Sequence, residues 1–136
     1  MICDTSALLS AFAPDQPHHE ESAAVLASTE SRLVSPMVLV EVDLLARRFL
    51  DGAVGLKMLR ELTGPSYHLL QVGAQTVTAA TQVMADTGLD LVDATLVVHA
   101  KEMKTLDLFT LDQQHFRKVR ALSGLPFRLL PFDLDV

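Results

Sequence analysis

The chain has 136 residues, of which 49% are hydrophobic, and a formal net charge of −6. That length is enough to bury a substantial core in one domain and too short for two, so we expect residues 1–136 to form a single domain. Cys3 is the sole cysteine, which excludes a disulfide framework and a cysteine-based zinc site within the chain. The excess of acid disfavours proteins that hold nucleic acid by bulk electrostatic attraction.

Two features of the sequence predict a cytoplasmic protein. Charged residues interrupt the long apolar runs before they reach the length of a membrane-spanning helix, so we expect no membrane association. The N-terminal segment Met1–Asp4 lacks the basic start and the apolar run of a signal peptide.

Short strands and helices alternate in the first half of the chain. In order, the predicted elements are a strand at Met1–Cys3, a helix capped by Thr5 and Ser6, a helix from about His18 to Ala27, a strand at Arg32–Val34, a helix to about Leu50 and a second helix to about Leu62. Ser35 and Pro36 are typical of an N-cap and a first helical residue, which places the start of the fifth element. Gly64 and Pro65 end the sixth.

The second half continues the alternation. Its predicted elements are a strand at Tyr67–Val72, a helix through Thr76 and Met84 that Gly88 closes, a helix from Asp90 to about Glu102, and strands at Asp107–Leu111 and Phe127–Leu130. Short buried strands that alternate with helices are typical of an α/β fold with a parallel sheet covered on both faces.

Two acidic residues lie on helix faces that are otherwise apolar. Glu41 comes three residues after Val38 and four before Leu45, so all three share one face of their helix. Asp93 is followed by apolar residues at the third, fourth and seventh positions after it, near the start of its helix. Both carboxylates therefore point towards the core, where an acid is costly without a compensating partner.

Two further acids end predicted strands. Asp4 follows the first strand, and Asp112 follows the strand that contains Phe109. Ligands of open α/β sheets bind outside the carboxyl ends of the strands. These two acids and the two on the helices are therefore expected to converge at one edge of the sheet.

Four converging carboxylates repel one another unless a cation compensates them. Oxygen ligands suit a hard cation, Mg²⁺ or Mn²⁺, better than zinc. Such an ion can hold a phosphodiester oxygen, lower the pKa of an attacking water and stabilise the leaving oxygen. The cluster thus predicts hydrolysis of a phosphodiester.

Each acid also has a simpler interpretation. Asp4 fits a helix cap, Glu41 a partly solvated edge residue, Asp93 a complement to the helix dipole, and Asp112 a turn or cap residue. Asp90 fits an N-cap of the helix that carries Asp93 better than it fits a metal ligand. Sequence alone does not show that the acids meet.

Four segments contain the acids discussed above: Ile2–Leu8, Ser35–Val42, Leu91–Leu96 and Phe109–Phe116. In this order they resemble the four motif blocks of PIN domains, and especially of VapC-type toxins of prokaryotic toxin–antitoxin pairs. The resemblance implies a PIN-like three-layer fold with a parallel sheet of four to five strands between helices. It also implies endoribonuclease activity with one or two Mg²⁺ or Mn²⁺ ions, a homodimer, and a cognate antitoxin that inhibits the enzyme by crossing its active site.

The resemblance assigns roles to individual residues. Asp4 and Asp93 match the central metal ligands, Glu41 the acid on the helix after the second strand, and Asp112 a fourth acid that sometimes binds through water. Small hydroxyl residues, expected to orient these carboxylates, are Thr5, Ser6 and Thr110. Cys3 departs from the usual Val or Ile and should act as a small buried hydrophobe.

Several features leave alternatives open. Basic residues fall into clusters that suit either solvated helix faces or a rim that contacts phosphates: Arg47-Arg48, Lys57 with Arg60, Lys101 with Lys104, and Arg117-Lys118-Arg120.

His115 is the one histidine placed to approach the acids, whereas His99 is expected on a helix flank. Surplus apolar residues on the two middle helices suit either the core or a dimer or antitoxin contact; they are Leu39, Phe49, Leu50 and Met58. The other function classes are a Mg²⁺-dependent phosphatase or receiver domain and an inactive PIN-like binding module.

Overall fold

The computed structural model describes residues 1–135, which form a parallel sheet between helices. The strands are β1 (Ile2–Cys3), β2 (Leu33–Val34), β3 (His68–Leu69), β4 (Asp107–Phe109) and β5 (Arg128–Leu130). The helices are α1 (Thr5–Phe12), α2 (His19–Ser28), α3 (Pro36–Phe49), α4 (Gly52–Leu62), α5 (Ala74–Thr87), α6 (Leu91–Glu102) and α7 (Gln113–Phe116).

The strand order places β1 at the centre of the sheet. The order is β3-β2-β1-β4-β5, with every neighbouring pair parallel. Ile2 on β1 is level with Leu33 on one side and Leu108 on the other. Since the chain goes first to one side of β1 and later to the other, the ligand-binding crevice of this topology lies at the carboxyl ends of β1 and β4.

The sheet is covered on both faces, which confirms the expected three-layer α/β architecture. Ile2, Val34, Phe109 and Leu129 are completely buried, and β3 at the edge is exposed. The helices pack in pairs, α1 with α2, α3 with α4 and α5 with α6. Apolar strands buried between helices are what a parallel sheet requires.

Some predicted boundaries were wrong. Asp4, the alternative cap that the sequence offers, caps α1 in place of Thr5 or Ser6, because its extended backbone lets Oδ1 accept from the N–H of Thr5. The strand predicted at Tyr67–Val72 is shortened to β3, and that at Asp107–Leu111 ends at Phe109. The short helix α7 was not predicted.

The helices are short. Within residues 1–135 the longest are α3 and α5, with 14 residues each. Such a helix rises about 21 Å, against roughly 30 Å of hydrocarbon in a bilayer. No helix in this part of the chain has the length and apolar character needed to cross a membrane.

Candidate active site

Asp4 is a buried carboxylate at the carboxyl end of β1. The residue is 6% exposed. Its Oδ1 accepts from the N–H of Thr5 at 2.8 Å, and its Oδ2 accepts from the hydroxyl of Thr110 at 2.7 Å. Its own N–H donates to the carbonyl of Phe109 at 2.8 Å. Asp4 is thereby held against the ends of both β1 and β4.

Two hydroxyl groups tie the ends of these strands together. The Thr110 oxygen accepts from the N–H of Asp112 at 3.0 Å while its hydroxyl donates to Asp4. The Ser6 oxygen accepts from the N–H of Leu111 at 3.0 Å and lies 3.4 Å from Oδ2 of Asp4. The orienting roles expected of Thr110 and Ser6 therefore have a direct geometric basis.

Glu41 reaches the same region from α3. Ser35 caps this helix by accepting from the N–H of Met37 at 3.3 Å, which directs the helix away from the end of β2. The hydroxyl of Thr5 donates to Oε1 of Glu41 at 2.8 Å. Glu41 is half-buried beside the fully buried Val38, as the helical spacing predicts. Thr5 thus links Glu41 to the residue that follows Asp4.

Asp93 lies in the first turn of α6. Asp90 caps the helix, since its Oδ1 accepts from the N–H of Asp93 at 2.9 Å, and the predicted cap is confirmed. The Asp93 side chain is 14% exposed. Leu96, Val97 and Ala100 on the same stripe are buried, so the carboxylate occupies the inward-facing position that the sequence pattern predicts.

Asp112 and His115 close the cluster on the side of α7. Both oxygens of Asp112 are engaged by one residue: Oδ1 accepts from the N–H of His115 at 3.0 Å, and Oδ2 lies 2.6 Å from its ring Nδ1. The same Nδ1 is 3.7 Å from Oδ2 of Asp93. Asp112 is therefore both a helix cap and a neighbour of Asp93, with His115 as the contact between them.

Two of the four acids have raised pKa values. Burial, followed by the negative charges of Glu41 and Asp112, raises the pKa of Asp4 to about 6 even though Thr110 and Thr5 donate to it. Burial, followed by the charges of Asp4 and other acids, raises the pKa of Asp93 to about 7. Ionisation of Asp4 and of Asp93 is therefore costly, and a bound cation would relieve that cost.

Comparisons with known proteins identify the family of this chain. Residues 1–122 match the PIN domain family. The chain belongs to the PIN domain family. It is 34% identical over 135 residues to Ribonuclease VapC26 of Mycobacterium tuberculosis (strain ATCC 25618 / H37Rv), covering 96% of this chain and 100% of the relative. This relative places the PIN domain in the VapC group.

Two solved structures share the fold of this PIN domain. The crystal structure of Mycobacterium tuberculosis VapC20, a Sarcin-Ricin loop cleaving toxin, superposes with a TM-score of 0.75 at 18% identity, covering 84% of this chain and 91% of that one. A toxin–antitoxin complex from Klebsiella pneumoniae gives a TM-score of 0.64 at 16% identity, covering 88% and 92%. Membership of the family decides against the phosphatase and receiver-domain alternatives.

The residues of the cluster fit a divalent cation, which the PIN family uses for nuclease activity. Asp93, Asp112 and His115 each present one donor atom, and these atoms lie within 4.8 Å of one another. Burial raises the pKa of the Asp4 carboxyl, and a nearby cation would favour its charged form. Carboxylate oxygens in this number suit a hard divalent ion.

The basic clusters are only partly available to a phosphate. Arg47 pairs with Asp43 at 2.8 Å on the surface of α3. Arg117 makes two hydrogen bonds of 2.7 and 2.8 Å to the carboxylate of Asp133. These pairs support the solvated-face interpretation for the two arginines, while Lys118 beside Arg117 is exposed.

Two buried titratable groups lie outside the cluster. Cys3 is completely buried, and burial raises the pKa of its thiol to about 12, which confirms that it acts as a hydrophobe. His99, which the sequence places on a helix flank, is completely buried. Its Nε2 lies 3.3 Å from Oγ of Ser35, and its Nδ1 has no hydrogen-bond partner within residues 1–135. The contact joins α6 to the cap of α3, a long-range pairing that local sequence does not indicate.

The apolar surplus on α3 and α4 is partly exposed, with Leu39 and Leu50 half-buried. Met58 is an exception: it is completely buried, so it belongs to the core. Phe49 is 67% exposed, and the unpredicted Val40 is 70% exposed. A groove of about 730 Å³ runs between the two helices; its lining residues are Leu39, Val40, Asp43, Arg47, Gly52, Leu56 and Leu59.

Proposed function

We propose that this PIN domain is a metal-dependent endoribonuclease and the toxin of a VapBC-like pair, with Mg²⁺ as its ion and Mn²⁺ as a substitute. The proposed metal and catalytic residues are Asp4, Glu41, Asp93 and Asp112. One observation carries the proposal: acids converge at the carboxyl ends of β1 and β4, where donor atoms of Asp93, Asp112 and His115 lie within 4.8 Å of one another, and burial with neighbouring negative charge raises the pKa of Asp4 and of Asp93.

The chain's own residues prepare this site before an ion arrives. Thr110 and the Thr5 N–H hold the two oxygens of Asp4, and the Thr5 hydroxyl orients Glu41. Fixed donors of this kind avoid reorganisation during the reaction. A bound divalent ion would polarise the phosphodiester and lower the pKa of the attacking water.

RNA and a cognate antitoxin are the proposed partners. The relative VapC26 is named a ribonuclease, and one structural neighbour is described as a toxin–antitoxin complex. The apolar groove between α3 and α4 offers a surface for an antitoxin or for a second copy in a homodimer. We further propose that residues 1–136 act as one domain in the cytoplasm.

RNA cleavage by the purified chain tests the activity. We expect cleavage of structured RNA in Mg²⁺ or Mn²⁺ that EDTA abolishes. Asp4→Asn and Asp93→Asn should each lower the rate about 100-fold or more, equivalent to roughly 3 kcal/mol of transition-state stabilisation, while the fold survives. The exposed Asp86 supplies a matched control, because Asp86→Asn changes an acid outside the cluster.

Unchanged cleavage in both site variants would contradict the assignment of the acids. A folded wild-type chain without EDTA-sensitive activity would favour the inactive binding module. Growth arrest on expression, relieved when the adjacent gene product is co-expressed, tests the toxin role. Normal growth of cells that accumulate the folded protein would contradict that role.

A further inference from the structure

A nitrogen donor lies at the mouth of the acidic cluster. Nδ1 of His115 is 2.6 Å from Oδ2 of Asp112 and 3.7 Å from Oδ2 of Asp93. Donor atoms of these three residues all lie within 4.8 Å of one another. The His115 side chain is 57% exposed, yet its Nδ1 faces the two carboxylates. An exposed imidazole that turns one nitrogen inwards is a candidate metal ligand.

The two separations from Nδ1 are close to the spacing of adjacent ligands around one ion. With ligands about 2.1 Å from the ion, adjacent ligands are roughly 3 Å apart and opposite ligands roughly 4.2 Å. The separations of 2.6 and 3.7 Å from Nδ1 lie on either side of the adjacent-ligand value. Small side-chain movements, together with a shift of the ring proton from Nδ1 to Nε2, would therefore bring all three donors to one ion.

The position of the imidazole is set by α7. The N–H of His115 donates to Oδ1 of Asp112 at 3.0 Å, so the backbone of this turn is tied to the same carboxylate as the ring. Phe116, the next residue, is 1% exposed and packs edge-on against Phe127 with ring centroids 6.4 Å apart. The buried Phe116 anchors the turn, and the ring nitrogen is held beside Asp112 before an ion binds.

We propose that Nδ1 of His115 is a direct ligand of the ion held by Asp93 and Asp112, and that this ligand raises the affinity for Mn²⁺, the substitute ion, more than the affinity for Mg²⁺. This inference rests on the proposed function, since it concerns the same ion. Imidazole nitrogen binds first-row transition ions well, whereas Mg²⁺ prefers oxygen ligands and retains its waters. One nitrogen among carboxylates therefore raises the affinity for Mn²⁺ more than the affinity for Mg²⁺.

Binding of Mn²⁺ alone and of Mg²⁺ alone, without RNA, tests the proposal. His115→Asn is the informative variant, because an amide N–H close to the position of Nδ1 retains a hydrogen-bond donor for Asp112 but has no nitrogen lone pair for a metal. The exposed Gln114 provides the matched control Gln114→Asn on the same helix. Pulsed electron paramagnetic resonance detects ¹⁴N coupled to bound Mn²⁺, and calorimetry measures both affinities.

We expect ¹⁴N coupling in the wild-type protein and in Gln114→Asn, and its loss in His115→Asn. The Mn²⁺ affinity of His115→Asn should fall about tenfold or more, and its Mg²⁺ affinity less than about threefold. Absence of ¹⁴N coupling in the wild-type protein overturns the proposal, as does an unchanged Mn²⁺ affinity in His115→Asn. Either result would leave His115 the role of orienting Asp112.

Asp93→Asn distinguishes this failure from failure of the proposed function. If Asp93→Asn loses both ions but the wild-type protein shows no ¹⁴N coupling, only ligation by His115 is rejected. If Asp93→Asn still binds both ions with wild-type affinity, the metal site itself is misplaced, and both proposals are overturned.

Discussion

Replacing Asp93 by Asn should stabilise the metal-free protein at neutral and alkaline pH. The carboxylate is 14% exposed and surrounded by other acids, which raises its pKa from 3.8 to about 7. A shift of that size corresponds to about 4 kcal/mol against the charged form. Since water screens part of the repulsion at the mouth of the site, we expect a gain of about 2 to 4 kcal/mol.

The pH dependence of this effect has a defined sign. Because the folded-state pKa of Asp93 is raised, the folded protein binds the proton more tightly than the unfolded chain does. The contribution of the protonated Asp93 to stability is fully present below pH 3.8 and is lost as pH rises through about 7. The advantage of Asp93→Asn should therefore be small near pH 4 and reach its full size near pH 8.

Urea unfolding in EDTA measures this difference at a series of pH values, with Asp86→Asn as the control for loss of an exposed acid. Restoring Mn²⁺ or Mg²⁺ should stabilise the wild-type protein and leave Asp93→Asn almost unchanged, because an ion that binds only the folded state adds to its stability. A difference between wild type and Asp93→Asn that is constant from pH 4 to pH 8 would refute the reasoning.

Three other predictions concern one contact at the site and two buried positions outside it. Thr110→Val removes the hydroxyl that donates to Asp4, so the Mn²⁺ affinity measured by calorimetry should fall about tenfold or more. Thr110→Ser keeps the hydroxyl, and an equal loss of affinity in this variant would contradict the prediction. Gly55→Ala places a Cβ 2.8 Å from that of Ala46 and should lower the free energy of unfolding, measured in urea, by about 1 to 3 kcal/mol. Gly52→Ala is the control, because a Cβ at that position meets open space. Equal effects of the two substitutions would argue against close packing of α3 on α4. Burial lowers the pKa of His99 below 6.5, so the wild type should lose stability relative to His99→Gln as pH falls from 7 to 5. If the free energies of unfolding of the two proteins change in parallel over this pH range, the prediction is wrong.

Much of the acidic site could be predicted because its placement is local. The helical repeat alone puts Glu41 and Asp93 on inward-facing positions, and the ends of apolar strands place Asp4 close to its observed position. The cap at Asp90 follows from its position just before an apolar helix, and the structure confirms it. These predictions needed only the spacing of residues within one element.

The assignment of the α1 cap shows the limit of that local argument. Sequence favoured Thr5 and Ser6, whereas the structure gives the cap to Asp4 and turns the two hydroxyl groups towards Glu41 and the end of β4. A hydroxyl can bond to its own backbone or to a distant partner with similar energy. Which partner each hydroxyl contacts depends on the packing of α3 and β4 against the end of β1, and only the tertiary structure shows that packing.

The sequence by itself determined an α/β architecture and four acids at inward-facing or strand-end positions, because burial pattern and helical period are properties of neighbouring residues. The tertiary structure decided what those acids meet. It brings His115 of α7 between Asp112 and Asp93, joins Arg117 to Asp133, and buries His99 of α6 against the cap of α3. Each contact links separate parts of the fold, so its distance depends on how the helices pack around the sheet and on which rotamer that packing leaves free.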